Sequence, residues 1–159
     1  MNNPENQVRL EIDARAENVS LARVVATAFV TPFDPTVGEL SDIKTAVSEA
    51  VTNAIIHGYG ENSGIVAILL TSHERKISIE ISDTGIGIEN IENVREPLFT
   101  TKPEMERSGL GFTVMESFMD SIHVYSNSPS GIIVKMVKEL NKEQESVRVV
   151  QNAATQRNN

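Results

Sequence analysis

Three short stretches of this chain set chemistry-bearing side chains beside residues that let a backbone come close to a ligand. The first is Ser82-Asp-Thr-Gly-Ile-Gly87. Ile77, Ile79 and Ile81 alternate just before it, and the same parity carries Asp83 onto the inward face, one step past the last isoleucine. A carboxylate aimed into a protein needs donors, and the exocyclic amine and ring edge of adenine could supply them. Gly85 and Gly87 permit positive φ and a close approach of backbone to a planar ligand. The plainer reading is a strand leaving through a glycine-rich turn, with Asp83 as a turn former.

The second stretch is Arg107, Ser108, Gly109, Leu110 and Gly111, followed by Phe112. Its glycines are expected directly before a helix, whose free N–H groups and positive dipole end make an anion site. A glycine backbone can cradle phosphate oxygens, and Arg107 and Lys102 could add charge to them. A glycine-containing helix cap is the alternative. The third stretch is Glu49-Ala-Val-Thr-Asn53. A spacing of four makes the two side chains neighbours on one helical face, to the side of the apolar stripe, with His57 continuing the row. That is either a solvated face or a catalytic pair, with Asn53 a Mg²⁺ ligand through its amide oxygen and Glu49 orienting or deprotonating an attacking hydroxyl.

The elements that must carry these residues follow from periodicity. Val8–Asp13 alternates as a strand. Asn18 to about Val30 carries Leu21, Val24, Val25, Ala28 and Phe29 at helical spacing, and Pro32 stops it. Thr36 and Glu39 have capping-box spacing ahead of a long helix. Its stripe is Leu40, Ile43, Val47, Ala50, Val51 and Ala54, and Gly58 and Gly60 end it. Ile65–Thr71 and Lys76–Ser82 read as strands joined by a hairpin over Ser72–Arg75. Residues 83–108 form a long polar loop, with a short helix allowed over Ile86–Val94, and a loop of that length suits a lid. Gly109–Ser121 is helical again, and Ile122–Ser126 and Ile132–Leu140 make a last hairpin around 127–131. The expected fold is α+β, a two-layer sandwich with a mostly antiparallel sheet and helices on one face. Residues 1–140 are expected to be one domain, and 141–159 a polar tail without fixed structure.

Composition narrows the classes. The chain has 159 residues, no cysteine and a formal net charge of −8. Disulfides and thiolate metal sites are therefore excluded, and the acidic balance disfavours direct nucleic-acid binding. No signal peptide or membrane span is expected, which points to the cytoplasm.

The order of parts is helix with Glu-x-x-x-Asn, strand end with Asp-x-Gly-x-Gly, long loop, then Gly-x-Gly at a helix. It resembles the GHKL ATPase and kinase superfamily, with its Bergerat-type ATP-binding fold. The runs Ser48–Tyr59, Glu96–Glu104 and Arg107–Asp120 are similar to the anti-sigma-F factors of spore-forming bacilli, over about Val8 to Leu140. The resemblance implies a homodimer that binds ATP and Mg²⁺, with ADP as product. It implies a protein that holds a sporulation sigma factor inactive and phosphorylates a serine of an anti-anti-sigma protein. By the motifs, Glu49 matches the catalytic base, Asn53 the Mg²⁺ ligand and Asp83 the adenine-reading carboxylate, with Gly85 and Gly87 beside it. Thr100, Thr101 and Lys102 fall in the lid, and Arg107 through Gly111 in the phosphate loop. One departure stands out. The family's last hairpin usually carries Gly-Thr, with the hydroxyl near adenine, where this chain has Gly131-Ile132-Ile133.

Three function classes fit these parts unequally. A serine protein kinase that is also an anti-sigma factor uses Glu49 as a base. A non-catalytic, nucleotide-gated sigma-binding module needs no base. An ATP-driven machine needs further domains, and the chain ends about 50 residues after Gly109. A sensor histidine kinase would need a dimerisation domain with an acceptor histidine, and none precedes the site. His73 is expected exposed in a turn, and Arg23 either solvated or facing a protein partner. Phe112, Met115, Phe118 and Met119 are expected in the core.

Overall fold

The computed structural model describes residues 4–87, 106–127 and 129–141, with 106–110 described as backbone only. The strands are β1 (Asn6–Asp13), β2 (Ile65–His73), β3 (Lys76–Ser82), β4 (Ser121–Ser126) and β5 (Ile132–Glu139). The helices are α1 (Asn18–Val30), α2 (Val37–Asn53) and α3 (Glu106–Phe118). The five strands form one sheet in the order β1-β2-β3-β5-β4, with every neighbouring pair antiparallel.

Register places one apolar face in line across the sheet. Leu10 pairs with Ile68, Ile68 with Ile81, Ile81 with Val134 and Val134 with Val124. Strand residues of that parity are buried or half-buried, except Asn6 and Ser126 at the sheet's outer strands, while Lys76, His73 and Glu139 on the other are exposed. The buried side meets α1 and α2, whose Ile43, Ala46, Val47, Ala50 and Val51 fill the layer between. This is the expected α+β sandwich.

The start of α2 is fixed by its expected capping box. Thr36 Oγ1 accepts the Glu39 N–H at 3.1 Å, and Glu39 Oε2 accepts the Thr36 N–H at 2.8 Å. The other Glu39 oxygen accepts the backbone N–H of Asn141, which sits in the left-handed region at φ 59° and donates its amide to the Asp34 carbonyl at 3.0 Å. The end of β5 is thereby tied to the start of α2. Arg75 adds a second tie, donating to Phe33 O at 2.7 Å and to Leu140 O at 3.3 Å.

Several expectations need correction. α1 has the expected bounds, yet Ala22, Ala26, Phe29 and Val30 are its buried residues, while Leu21 is 45% and Val24 64% exposed and Ala28 is exposed. Small residues at a four-residue spacing let α1 lie close on α2, which in turn offers Ala46 and Ala50. Of Gly58 and Gly60, expected to end α2, Gly60 does so, and Gly58 lies inside the last turn. α2 continues from Asn53 into a π turn over Ala54–Tyr59, closed by Gly60 at φ 60°. α3 begins at Glu106, so Gly109 and Gly111 lie inside the helix instead of before it. A helical glycine costs about 1 kcal/mol relative to alanine, which disfavours that conformation without forbidding it. His73 closes β2 instead of standing in the turn, which is Glu74-Arg75. Met115 and Met119 are buried as expected, and Phe112 and Phe118 are half-buried. The short helix allowed over Ile86–Val94 and the tail after Asn141 lie largely or wholly outside the described residues.

Candidate functional site

β3 delivers Asp83 where parity places it. The residue is 4% exposed, and its Oδ1 accepts the Gly85 N–H at 2.9 Å. Burial pushes its carboxyl above the ordinary carboxylate value, and the N–H groups of Gly85 and Ile132 partly counter that. The turn after it needs glycine for space. A Cβ on Gly85 would overlap the carbonyl of Gly58, on the π turn after α2, and that same carbonyl accepts the Ile86 N–H at 2.9 Å. A Cβ on Gly131, at φ 101°, would overlap the Asp83 carbonyl. The β3 end, the π turn and the β4–β5 hairpin thus converge on one carboxylate.

The second cluster lies where α2 meets α3. Glu49 and Asn53 are half-buried, not on a fully solvated face. They lie one turn apart and both touch Gly111: a Cβ there would stand 3.0 Å from Asn53 Nδ2 and 3.1 Å from Glu49 Oε2. Asn53 Nδ2 is buried without a hydrogen-bond partner among the described residues. A buried amide in that state is costly, and an oxygen-rich ligand between α2 and α3 would satisfy it. The carboxamide can turn to present either atom, so a phosphate oxygen or a metal ion fits. Among the described residues no cluster of three or more His, Cys, Asp or Glu side chains could hold a metal. A divalent ion at Asn53 would therefore take most of its shell from the nucleotide and water.

Continuity of the chain joins the two clusters. The π turn prolongs α2 from Asn53 to Tyr59, so one stretch of backbone carries Glu49 and Asn53 at one end and meets Asp83 at the other. π turns are rare and are often found at functional sites. His57 lies on this turn, half-buried, and burial pushes its imidazole below the ordinary value. That works against the cationic form that the C-terminal end of a helix favours. Thr100, Thr101 and Lys102 lie outside the described residues, as do the side chains of Arg107, Ser108 and Leu110, while Gly109 is described as helical backbone.

Sequence reasoning missed the groups that hold the Asp83 turn. Asn127 Nδ2 donates to the Asp83 carbonyl at 2.7 Å, Ser130 Oγ donates to the Thr84 carbonyl at 3.1 Å, and the Tyr59 hydroxyl accepts the Thr84 N–H at 2.9 Å. The available signal was the glycine and serine density of 127–131, which reads as an ordinary hairpin turn until β5 is known to pair with β3. Ile132 is half-buried against the core, and its carbonyl accepts the Asp83 N–H at 3.0 Å.

The model of the histidine kinase-like ATPase domain matches residues 12–138. An anti-sigma F factor of Clostridium perfringens (strain 13 / Type A) is 57% identical over 138 residues, which is 86% of this chain and 99% of that relative. One from Bacillus velezensis is 50% identical over 139 residues, covering 87% of this chain and 95% of that relative. Among solved structures, the RsbU and RsbW domains of a Mycobacterium tuberculosis protein match with TM-score 0.60 at 15% identity, covering 86% of this chain and 32% of that one. The catalytic domain of histidine kinase ThkA matches with TM-score 0.53 at 19% identity, covering 84% of this chain and 97% of that one. At such identities the structural likeness speaks for the fold alone. Given a family model spanning residues 12–138 and relatives at 50 and 57% identity over nearly their whole length, the chain belongs to the histidine kinase-like ATPase domain family and, within it, to the anti-sigma F factors.

Proposed function

We propose that this chain binds ATP with Mg²⁺, holds a sporulation sigma factor inactive, and transfers the γ-phosphoryl group of ATP to a serine of an anti-anti-sigma protein. The observation that carries the reading is Glu49 and Asn53 meeting Gly111, with a buried, unsatisfied amide between the helices. Sequestration of a partner needs no general base, so a carboxylate beside that amide favours the enzyme.

Each group has a role in this reading. Asp83 accepts a hydrogen bond from the adenine amine, with Gly85 and Gly87 against the ring. Asn53 would hold Mg²⁺, which when bound would neutralise charge on the phosphates. Gly109 and Gly111, with Arg107, Ser108 and Leu110, line the phosphates at the start of α3, and Thr100, Thr101 and Lys102 close over them. The serine oxygen attacks the γ-phosphorus, the bond from that phosphorus to the β–γ bridging oxygen breaks, and ADP leaves. Glu49 orients the hydroxyl and takes its proton. The names of the relatives support the sigma-factor partner. No helix among the described residues is long and apolar enough to cross a membrane, which is compatible with work in the cytoplasm. We also propose that the chain acts as a homodimer, in line with its family.

The test is direct. Purified protein is mixed with γ-labelled ATP, Mg²⁺ and the anti-anti-sigma protein of the same organism, and the acceptor is mapped. Label on a partner serine supports the kinase. ATP binding and sigma binding with no transfer would leave a nucleotide-gated binding module.

A further inference from the structure

Tyr59 ends the π turn that prolongs α2 and is 9% exposed. Its hydroxyl donates to the Ile65 carbonyl at the start of β2, accepts the Thr84 N–H at 2.9 Å, and lies 3.2 Å from Thr84 Oγ1. The ring is held as well, since a Cβ on Gly64 would overlap its edge. One phenol therefore joins α2, β2 and the residue directly after Asp83. On the other side of the same strand end, Asn127 bonds the Asp83 carbonyl and Ser130 the Thr84 carbonyl.

The Asp83 carboxylate accepts the Gly85 N–H at 2.9 Å, and the Asp83 N–H meets the Ile132 carbonyl at 3.0 Å. The backbone that carries the carboxylate and its Gly85 donor is further fixed by these three clamps. A group that must meet one edge of a base needs a supporting shell to hold its direction.

We propose that Tyr59 is a positioning residue for base selectivity: its hydroxyl fixes the Thr84 peptide and thereby aims Asp83 at the amine of adenine. The inference rests on the adenine-reading role proposed for Asp83. It assigns to Tyr59 no contact with nucleotide and no part in phosphoryl transfer.

The test compares ADP with inosine diphosphate, whose base carries a carbonyl where adenine carries its amine. Affinities are measured by calorimetry for wild type and Tyr59→Phe, with amide hydrogen exchange followed at Thr84 and Ile81. Wild type is expected to prefer ADP. Tyr59→Phe is expected to lower that preference about tenfold, the loss that accompanies one disturbed hydrogen bond, and to speed exchange at Thr84 while Ile81 in the β3 ladder is unchanged. A lower melting temperature with an unaltered ADP preference and unaltered Thr84 exchange would make Tyr59 merely structural and overturn the inference. Wild-type protein that binds neither nucleotide would sink the adenine reading itself, and Thr84 exchange would still show whether the clamp exists. If Tyr59→Phe does not fold, Gly64→Ala displaces the same ring with its hydroxyl retained. Loss of ADP preference there supports the inference, and an unchanged preference contradicts it.

Discussion

Gly111→Ala separates stability from function at the junction of α2 and α3. Inside a helix, alanine is favoured over glycine by about 1 kcal/mol. Against that, the new methyl would stand 3.0 Å from Asn53 Nδ2 and 3.1 Å from Glu49 Oε2, tighter than ordinary van der Waals contact. Both are ends of side chains on one face of α2 and can yield by a few tenths of an ångström. The gain and the strain are of similar size, so net stability should stay within about 1 kcal/mol of wild type, or about 3 °C in Tm for a chain of this length. The displaced groups are those proposed to hold Mg²⁺ and to orient the serine. Misplacement on the scale of 1 Å costs about 100-fold in rate, so a smaller shift should cost at least about 10-fold. Thermal unfolding and the initial rate of transfer from ATP to the anti-anti-sigma protein read the two effects separately. Wild-type stability with a wild-type transfer rate would refute the reasoning, because two side chains this close to Gly111 would then have no bearing on the reaction.

Other outcomes follow from the same geometry. Asp83→Asn should weaken ADP binding while leaving the ligand-free protein as stable or more so at neutral pH. Its buried carboxyl titrates above the ordinary value of 3.8, so the folded state retains a proton that the unfolded chain has lost, and wild-type stability falls as pH rises through that window. The advantage of Asp83→Asn, read by denaturant titration, should therefore shrink as pH drops toward 3.8. Lys138 donates to Asp42 at 3.1 Å and to the Phe118 carbonyl at 2.6 Å, linking β5, α2 and the end of α3. Lys138→Met leaves the half-buried Asp42 without its cation and should cost about 1–2 kcal/mol in urea unfolding.

The sequence yielded what short-range patterning controls. The α2 cap, its Ile43–Val47–Ala50–Val51 stripe and the inward parity of Asp83 were legible because each follows from spacing of a few residues. α1 misled because it carries two helical stripes. Leu21 and Val24 look more hydrophobic, but close packing on α2 selects Ala22 and Ala26. The start of α3 misled because glycine weakens a helix without forbidding one, so Gly109 and Gly111 mark no boundary by themselves. At the candidate site, Glu49 and Asn53 stand out by their own spacing, and their closeness to Gly111 required the packing of α2 on α3. Tyr59 was invisible because its hydroxyl meets Thr84 only once the π turn packs on the end of β3, and Asn127 and Ser130 for a topological reason. Nothing local says that β5 inserts between β3 and β4, and that insertion brings the 127–131 turn onto Asp83.

The kinase reading stands most directly on Glu49. The decisive measurement is phosphoryl transfer by Glu49→Ala, alongside its affinities for ATP and for the sigma factor. The account predicts both affinities near wild type and no label on the partner serine, since only the base has been removed. Transfer at the wild-type rate would contradict it.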